Sequence, residues 1–152
     1  MTTALAALIL HLVGLGPALA QVQEWGVPAD VGPAVVWAAA RTPGSMERNL
    51  PLVASMGYVE SRWTAKPRRH GTGCGWSQIL PVAAWGRPTC DALEASPVLA
   101  GEWAGRIMGE CLLRHHGRVT DGLRCYNASD GREKYVRDVM RALARLTGGR
   151  VS

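Results

Sequence analysis

One carboxylate, Glu60, closes an apolar run that reads as a helix, and Ser61 and Arg62 follow it directly. On a helix Glu60 lies four residues after Met56, seven after Val53 and eight after Leu52, so it shares their inward face. A carboxyl among apolar neighbours is costly to ionise. The negative end of the helix dipole, in whose last turn it sits, adds to that cost. Both effects raise its pKa and keep a proton available near neutral pH, which is what a general acid requires. The structural alternative is a rim glutamate paired with Arg62, and this stretch alone fits either equally. Two later stretches could complete a site. GTGCGWSQILP (71–81) places Gln78 after a flexible glycine segment able to fold over the helix end, and CYNAS (125–129) places Tyr126 and Asn127 on a later helix.

The elements that must hold these residues are mostly helices. PAVVWAAAR (33–41) has proline where a first helical turn tolerates it, and TPGS (42–45) breaks the pattern. PLVASMGYVES (51–61) sets Leu52, Val53, Met56, Val59 and Glu60 at helical spacing. KPRRHGTGCGWSQILP (66–81) is too rich in glycine and proline for a helix and reads as a loop with a short hairpin. PVLAGEWAGRIMGECLLRHHG (97–117) is a long helix. Its polar stripe Glu102, Arg106, Glu110, Arg114 steps by four, each Glu preceding its Arg, while Leu99, Trp103, Ile107, Met108 and Leu112 read as core. A shorter helix over about 120–128 carries Leu123 and Tyr126. After it, Asp130 and Glu133 stand at capping-box spacing ahead of Tyr135, Val136, Val139, Met140 and Leu143 on one helical side. The expected fold class is mainly α, with one glycine-rich insertion after the helix of Glu60.

The chain has 152 residues, a length that fits one domain. Thr3 to Ala20 is an apolar run closing on Ala18-Leu19-Ala20, the small-x-small pattern cut by signal peptidase, although Met1-Thr2-Thr3 carries no Lys or Arg. We therefore expect residues 1–20 to be a signal peptide cleaved after Ala20, or an N-terminal anchor. Residues 21–152 would form the single exported or periplasmic domain, about 130 residues and enough for one core. A buried core helix is the alternative for the apolar run. There are 17 Lys and Arg against 12 Asp and Glu, a net charge of +5, which suits a polyanion. The basic residues are spread out and form no zinc finger, RNA-recognition motif or long basic run, so no nucleic-acid partner is expected. An anionic cell envelope is the better match.

Four cysteines, Cys74, Cys90, Cys111 and Cys125, favour two disulfides in a small exported domain. Their spacing contains no C-x-x-C pair, which argues against zinc, and His115-His116 reads as a solvated helix end. Cys111 and Cys125 lie about equally far from a corner near Gly117, so antiparallel packing of the flanking helices joins them. Cys74 and Cys90 are left to tie the glycine-rich loop to the segment after Trp85.

Taken in order, Glu60-Ser61, then Gly75-Trp76-Ser77-Gln78-Ile79-Leu80-Pro81, then Tyr126-Asn127 followed by Tyr135-Val136 resemble the lytic transglycosylases with a goose-lysozyme-like fold. The resemblance covers roughly residues 45–146. That family shows a Glu-Ser pair, a Gly-Leu-Met-Gln-Ile-x-Pro segment and an Ala-Tyr-Asn motif. Here Trp76 and Ser77 replace the Leu and Met, and Cys125 replaces the Ala. The resemblance implies a lysozyme-like helical domain, with the glycine-rich loop or short hairpin over the active-site helix. It also implies peptidoglycan glycan strands as substrate, and no cofactor or metal. The small exported members accompany secretion machines, conjugation systems and phage particles, which are the partners it implies.

Most glycosidases need two carboxylates, but one suffices when the substrate supplies the second group. By the resemblance, Glu60 protonates the glycosidic oxygen between N-acetylmuramic acid and N-acetylglucosamine, then as a base helps close a 1,6-anhydro ring. Glu47, in an irregular stretch thirteen residues upstream, is the one second carboxylate to weigh; Glu94, Glu102 and Glu110 sit in a loop or on the salt-bridge stripe. Ser61 is expected to bond Glu60 or the glycan, or to be an ordinary helix-end serine. Gln78 would bind the N-acetyl amide or hold the loop. Tyr126 would donate to the acid or the sugar, or be a core aromatic, and Asn127 would shape the chain turn. Trp76 and Trp85 would stack on sugar faces or lie in the core. Arg62, Lys66, Arg68 and Arg69 would meet carboxylates of the substrate or form a solvated loop. Two rival functions remain: a goose-type lysozyme that hydrolyses the same bond, and an inactive glycan-binding scaffold of an envelope machine.

Overall fold

The computed structural model describes residues 2–64 and 73–149. Lys66, Arg68 and Arg69 lie outside the described residues. Among those described there are eight α-helices and no β-strand, so the chain is mainly α. They are α1 (Thr3–Leu12), α2 (Gly16–Glu24), α3 (Gly32–Arg41), α4 (Met46–Ser61), α5 (Cys90–Ala95), α6 (Pro97–Arg114), α7 (Val119–Tyr126) and α8 (Arg132–Leu146), with one 3-10 turn at Ala83–Trp85.

The centre is α3. Its Ala34, Val35, Val36, Ala38 and Ala39 are all fully buried, as an all-round apolar helix must be. It packs on α1, α2, α4 and, most extensively, α6. The α6 contact runs along Gly101, Gly105 and Gly109. A Cβ on Gly105 would strike the Ala38 carbonyl, and one on Gly109 would meet the Pro43 ring at 2.7 Å. These glycines let two backbones approach, and they turn Trp103 and Ile107 away from the α3 contact. The expected core face of α6 is therefore corrected: Met108 and Leu112 are buried, while Trp103 and Ile107 are only half-buried. The expected salt-bridge stripe also divides. Glu102 accepts from Trp37 Nε1 at 2.7 Å and pairs with Arg41 at 2.9 Å, and Arg106 pairs with Glu110 at 3.4 Å.

The helix of Glu60 starts at Met46 rather than at Pro51. Ser45 caps it by accepting from the Arg48 amide, and Pro51 lies inside. A mid-helix proline costs roughly 3 kcal/mol, and burial of every residue from Asn49 to Gly57 outweighs that. Asn49 Nδ2 donates to the Thr42 carbonyl at 2.6 Å and pins the α3–α4 turn. At the other end of the chain, the expected capping box of Asp130 and Glu133 does not form. Gly131 is the N-cap of α8, and Glu133 instead accepts from Arg124 at 2.8 Å.

The four cysteines form two disulfides, Cys74–Cys90 and Cys111–Cys125, with Cα atoms 5.2 and 5.6 Å apart. Residues 1–20 supply α1 and the first part of α2. Ala6, Leu10 and Leu19 are buried, while Leu5, Leu8, Leu12 and Val13 remain exposed. The bond after Ala20 falls inside α2. Among the described residues no helix is long and apolar enough to cross a membrane.

Candidate active site

Glu60 lies in the last turn of α4 and lines a groove of about 780 Å³. Gln78, Ile79, Leu80, Trp85 and Arg87 form one side. Trp103, Arg106, Ile107, Glu110 and Arg114 of α6 form another, and Tyr126 to Ser129 close the end of α7. The Cys111–Cys125 disulfide lies in the lining and fastens α6 to α7 there.

Burial pushes the Glu60 carboxyl up from 4.5 to about 7. Tyr135 sits against it. Its buried hydroxyl has no partner that meets strict hydrogen-bond geometry, yet its pull still lowers the Glu60 pKa against the larger effect of burial. The alternative of a rim pair with Arg62 is not what the fold contains: the Arg62 guanidinium lies 4.2 Å from the Tyr58 ring centroid. Just after Glu60 the chain turns sharply, with Arg62 and Trp63 both left-handed at φ 56° and 58°. Trp63 Nε1 donates to the Ala54 carbonyl at 2.7 Å and ties this turn back onto α4.

The hairpin expected over the helix end is present as a single antiparallel bridge between Cys74 and Ile79. Gln78 inside it has φ 50° and donates through Nε2 to the Gly75 carbonyl at 3.0 Å while also lining the groove. Gly73 leaves the room this needs, since a Cβ there would stand 2.8 Å from the Gln78 carbonyl. Two polar residues fasten the hairpin. Ser61 Oγ donates to the Trp76 carbonyl at 2.7 Å, and Tyr126 Oη donates to the Ser77 carbonyl at 3.0 Å. Tyr126 stacks on Tyr135 with ring centroids 6.5 Å apart, and burial followed by the Glu60 charge raises its pKa, so its phenol stays protonated. Asn127 lines the groove mouth, and its Oδ1 accepts from the Ser129 amide at 3.2 Å, shaping the turn.

Three expectations are corrected here. Trp76 is not a sugar platform: its ring is fully buried, and Nε1 donates to the Pro97 carbonyl at 2.9 Å. A Cβ on Gly57 would stand 2.7 Å from it, so the ring fills the place a larger residue would take on α4. Trp85, 61 % exposed, lines the groove instead. Glu47 is not a second carboxylate, because thirteen residues along one helix separate it from Glu60 by ~20 Å. Glu110, passed over as a second carboxylate, keeps its expected pair with Arg106 on the exposed stripe and also lines the groove. Sequence reasoning also missed Arg87, Trp103 and Arg106 in the lining. The glycines at 101, 105 and 109 were the available signal, since they mark the α6 face that meets α3 and hence the face that does not. Among the described residues no group of three potential metal ligands occurs.

Comparison with family models, with curated proteins and with solved structures returns no match. The functional reading therefore rests on the geometry of the groove.

Proposed function

We propose that the protein is a peptidoglycan lytic transglycosylase in which Glu60 acts first as acid and then as base. The observation that carries this reading is a half-buried carboxyl, held at about 7, that opens into a groove of ligand-binding size. Protonated Glu60 gives its proton to the glycosidic oxygen of a muramyl residue as the C1–O bond breaks. The substrate's N-acetyl carbonyl oxygen bonds to C1 and takes up the positive charge that develops there as an oxazolinium ring. Glu60, now a carboxylate, takes the proton from the C6 hydroxyl, whose oxygen displaces the N-acetyl oxygen at C1. The anhydro ring closes without water, and Glu60 ends as it began. Gln78, held across the groove by its strained backbone, is the residue suited to an N-acetyl amide. Ser61 and Tyr126 act on the hairpin rather than on the sugar.

Glu110 favours a second reading. A carboxylate elsewhere in the same groove could hold a water and make the reaction hydrolytic, as in a goose-type lysozyme. Mass spectrometry of the products separates the two readings. Anhydro ends, with no water added, support the transglycosylase. Addition of one water per cleavage, abolished in Glu110→Gln, supports the hydrolase. No cleavage at all returns the domain to a glycan-binding scaffold.

Two disulfides point to an oxidising compartment outside the cytoplasm. Our reading puts the protein in the periplasm or beyond it, with Thr3 to Ala20 as the export signal, where glycan strands and an envelope-spanning machine or phage particle are its partners. N-terminal sequencing of exported protein tests this: Gln21 as the first residue supports it, and an intact N-terminus on cytoplasmic protein overturns it.

A further inference from the structure

The groove carries more positive charge than acid–base chemistry on a neutral sugar needs. Arg87 contributes from the segment after the hairpin, and Arg106 and Arg114 from α6. Against them stand Glu110 and a Glu60 that holds its proton near neutral pH. Two of the guanidiniums are held in place by indoles that also line the groove. Arg87 Cζ lies 4.7 Å from the Trp85 ring centroid, and Arg106 Cζ lies 4.9 Å from that of Trp103. Stacking positions a planar guanidinium without using its N–H donors, of which each has five.

The polar partners of both arginines are weak competitors for an anion. Arg87 Nη1 donates to the Leu80 carbonyl at 3.1 Å, a neutral acceptor that occupies one donor. Arg106 meets Glu110 at 3.4 Å, with side chains 59 % and 62 % exposed. An exposed pair of this kind is worth less than about 1 kcal/mol, so another carboxylate can take its place. The charge of Arg87 also reaches the catalytic end of the groove, where it acts on Tyr126.

We infer that Arg87 and Arg106 are specificity-determining residues that select glycan strands bearing carboxylate groups over neutral strands with the same sugar backbone. A planar fork bonds a carboxylate through two parallel N–H donors, an interaction that hydroxyls and N-acetyl groups cannot reproduce. Each arginine comes from a different part of the lining, Arg87 from the segment after the hairpin and Arg106 from α6, so one strand in the groove is offered two separate forks. The inference rests on the reading of Glu60 as a glycan-cleaving acid, and it names what that acid's substrate must carry.

The test uses Glu60→Gln protein, so that binding is measured without turnover. The two probes are a peptide-bearing muramyl tetrasaccharide and a chitin tetrasaccharide, which lacks carboxylates. Titration calorimetry should give about tenfold tighter binding of the acidic probe at low salt, a gap that narrows as salt rises. Adding Arg87→Met and Arg106→Met should weaken the acidic probe more than chitin and bring the two affinities within about threefold; Arg→Lys at both sites should restore part of the gap. Equal affinities for the two probes overturn the inference. So does a gap that survives the double Met variant, or displacement of the acidic glycan by an equal concentration of single-stranded oligonucleotide. Anhydro products from the wild-type protein alongside any of these results would remove this inference alone. If neither glycan binds and the wild type cleaves nothing, the inference and the transglycosylase reading fall together.

Discussion

Glu60 carries a stability penalty that its chemistry uses. The folded carboxyl titrates near 7 and the unfolded one near 4.5. Below 4.5 both states hold the proton and there is no penalty. As pH rises from 4.5 to 7 the unfolded chain ionises first, and the fold loses roughly 3 kcal/mol, a loss that then stays constant above 7. Glu60→Gln removes the titration. The variant should match the wild type at pH 4 and melt roughly 5–10 °C higher at pH 8. A variant that melts lower at pH 8 would mean that the fold holds Glu60 ionised. The same substitution removes the transferable proton, so turnover on isolated cell wall should fall by about two orders of magnitude or more. Wild-type kcat should decline above about pH 7 as the acid form is lost. Near-normal activity in Glu60→Gln would move attention to Glu110, the other acid in the groove.

Two elements set the shape around that residue, and each can be tested without touching it. The first is the close contact of α3 with α6. Gly105→Ala drives a methyl into the Ala38 carbonyl, which is backbone and cannot rotate away. Denaturant melts should show a loss of about 1–3 kcal/mol; an unchanged midpoint would mean that the helices can separate freely. The second is the α6–α7 corner. The Cys111–Cys125 disulfide spans fourteen residues of sequence and sits one residue before Tyr126, which holds the hairpin through Ser77. A crosslink of this length is worth on the order of 3 kcal/mol. Cys111→Ser with Cys125→Ser should lower the melting temperature accordingly and weaken glycan binding by releasing Tyr126. Unaltered binding in a folded double variant would show that helix packing alone positions Tyr126.

At the scale of the whole molecule the question is what α1 and the start of α2 contribute. They cover one side of α3 with Ala6, Leu10 and Leu19 buried, while Leu5, Leu8 and Leu12 of α1 and its C-cap Val13 face water. The groove is built from α4, the hairpin and the segment after it, α6 and the end of α7, and none of its lining residues precedes Glu60. A chain beginning at Gln21 should lose the burial of Leu10 and Leu19, roughly 3–6 kcal/mol. It should still keep its Glu60-dependent activity. Thermal melts and product assays on the two lengths measure both effects. An inactive short form would make α1 part of the working fold and exclude cleavage after Ala20.

The mainly helical class was legible in the sequence because periodicity is a local property: Leu52, Val53, Met56 and Glu60 share a face wherever the helix is placed. The four cysteines and the corner at Gly117 were enough to name both disulfide pairs, since antiparallel helices bring residues equidistant from their turn together. Periodicity put Glu60 on the inward face, but the same stretch fitted a rim pair with Arg62 equally, and only the fold decided between them. Other features depended on which surfaces meet. Trp76 and Trp85 are alike in sequence, and only the place reserved for a ring above Gly57 made one core and the other groove. Glu47 and Glu110 exchanged standing because distance along a rigid helix separates one from Glu60, while packing of α6 carries the other into the groove. Periodicity identifies a helix's faces. What each face meets is decided by the remainder of the chain, which alone supplies the partner surface.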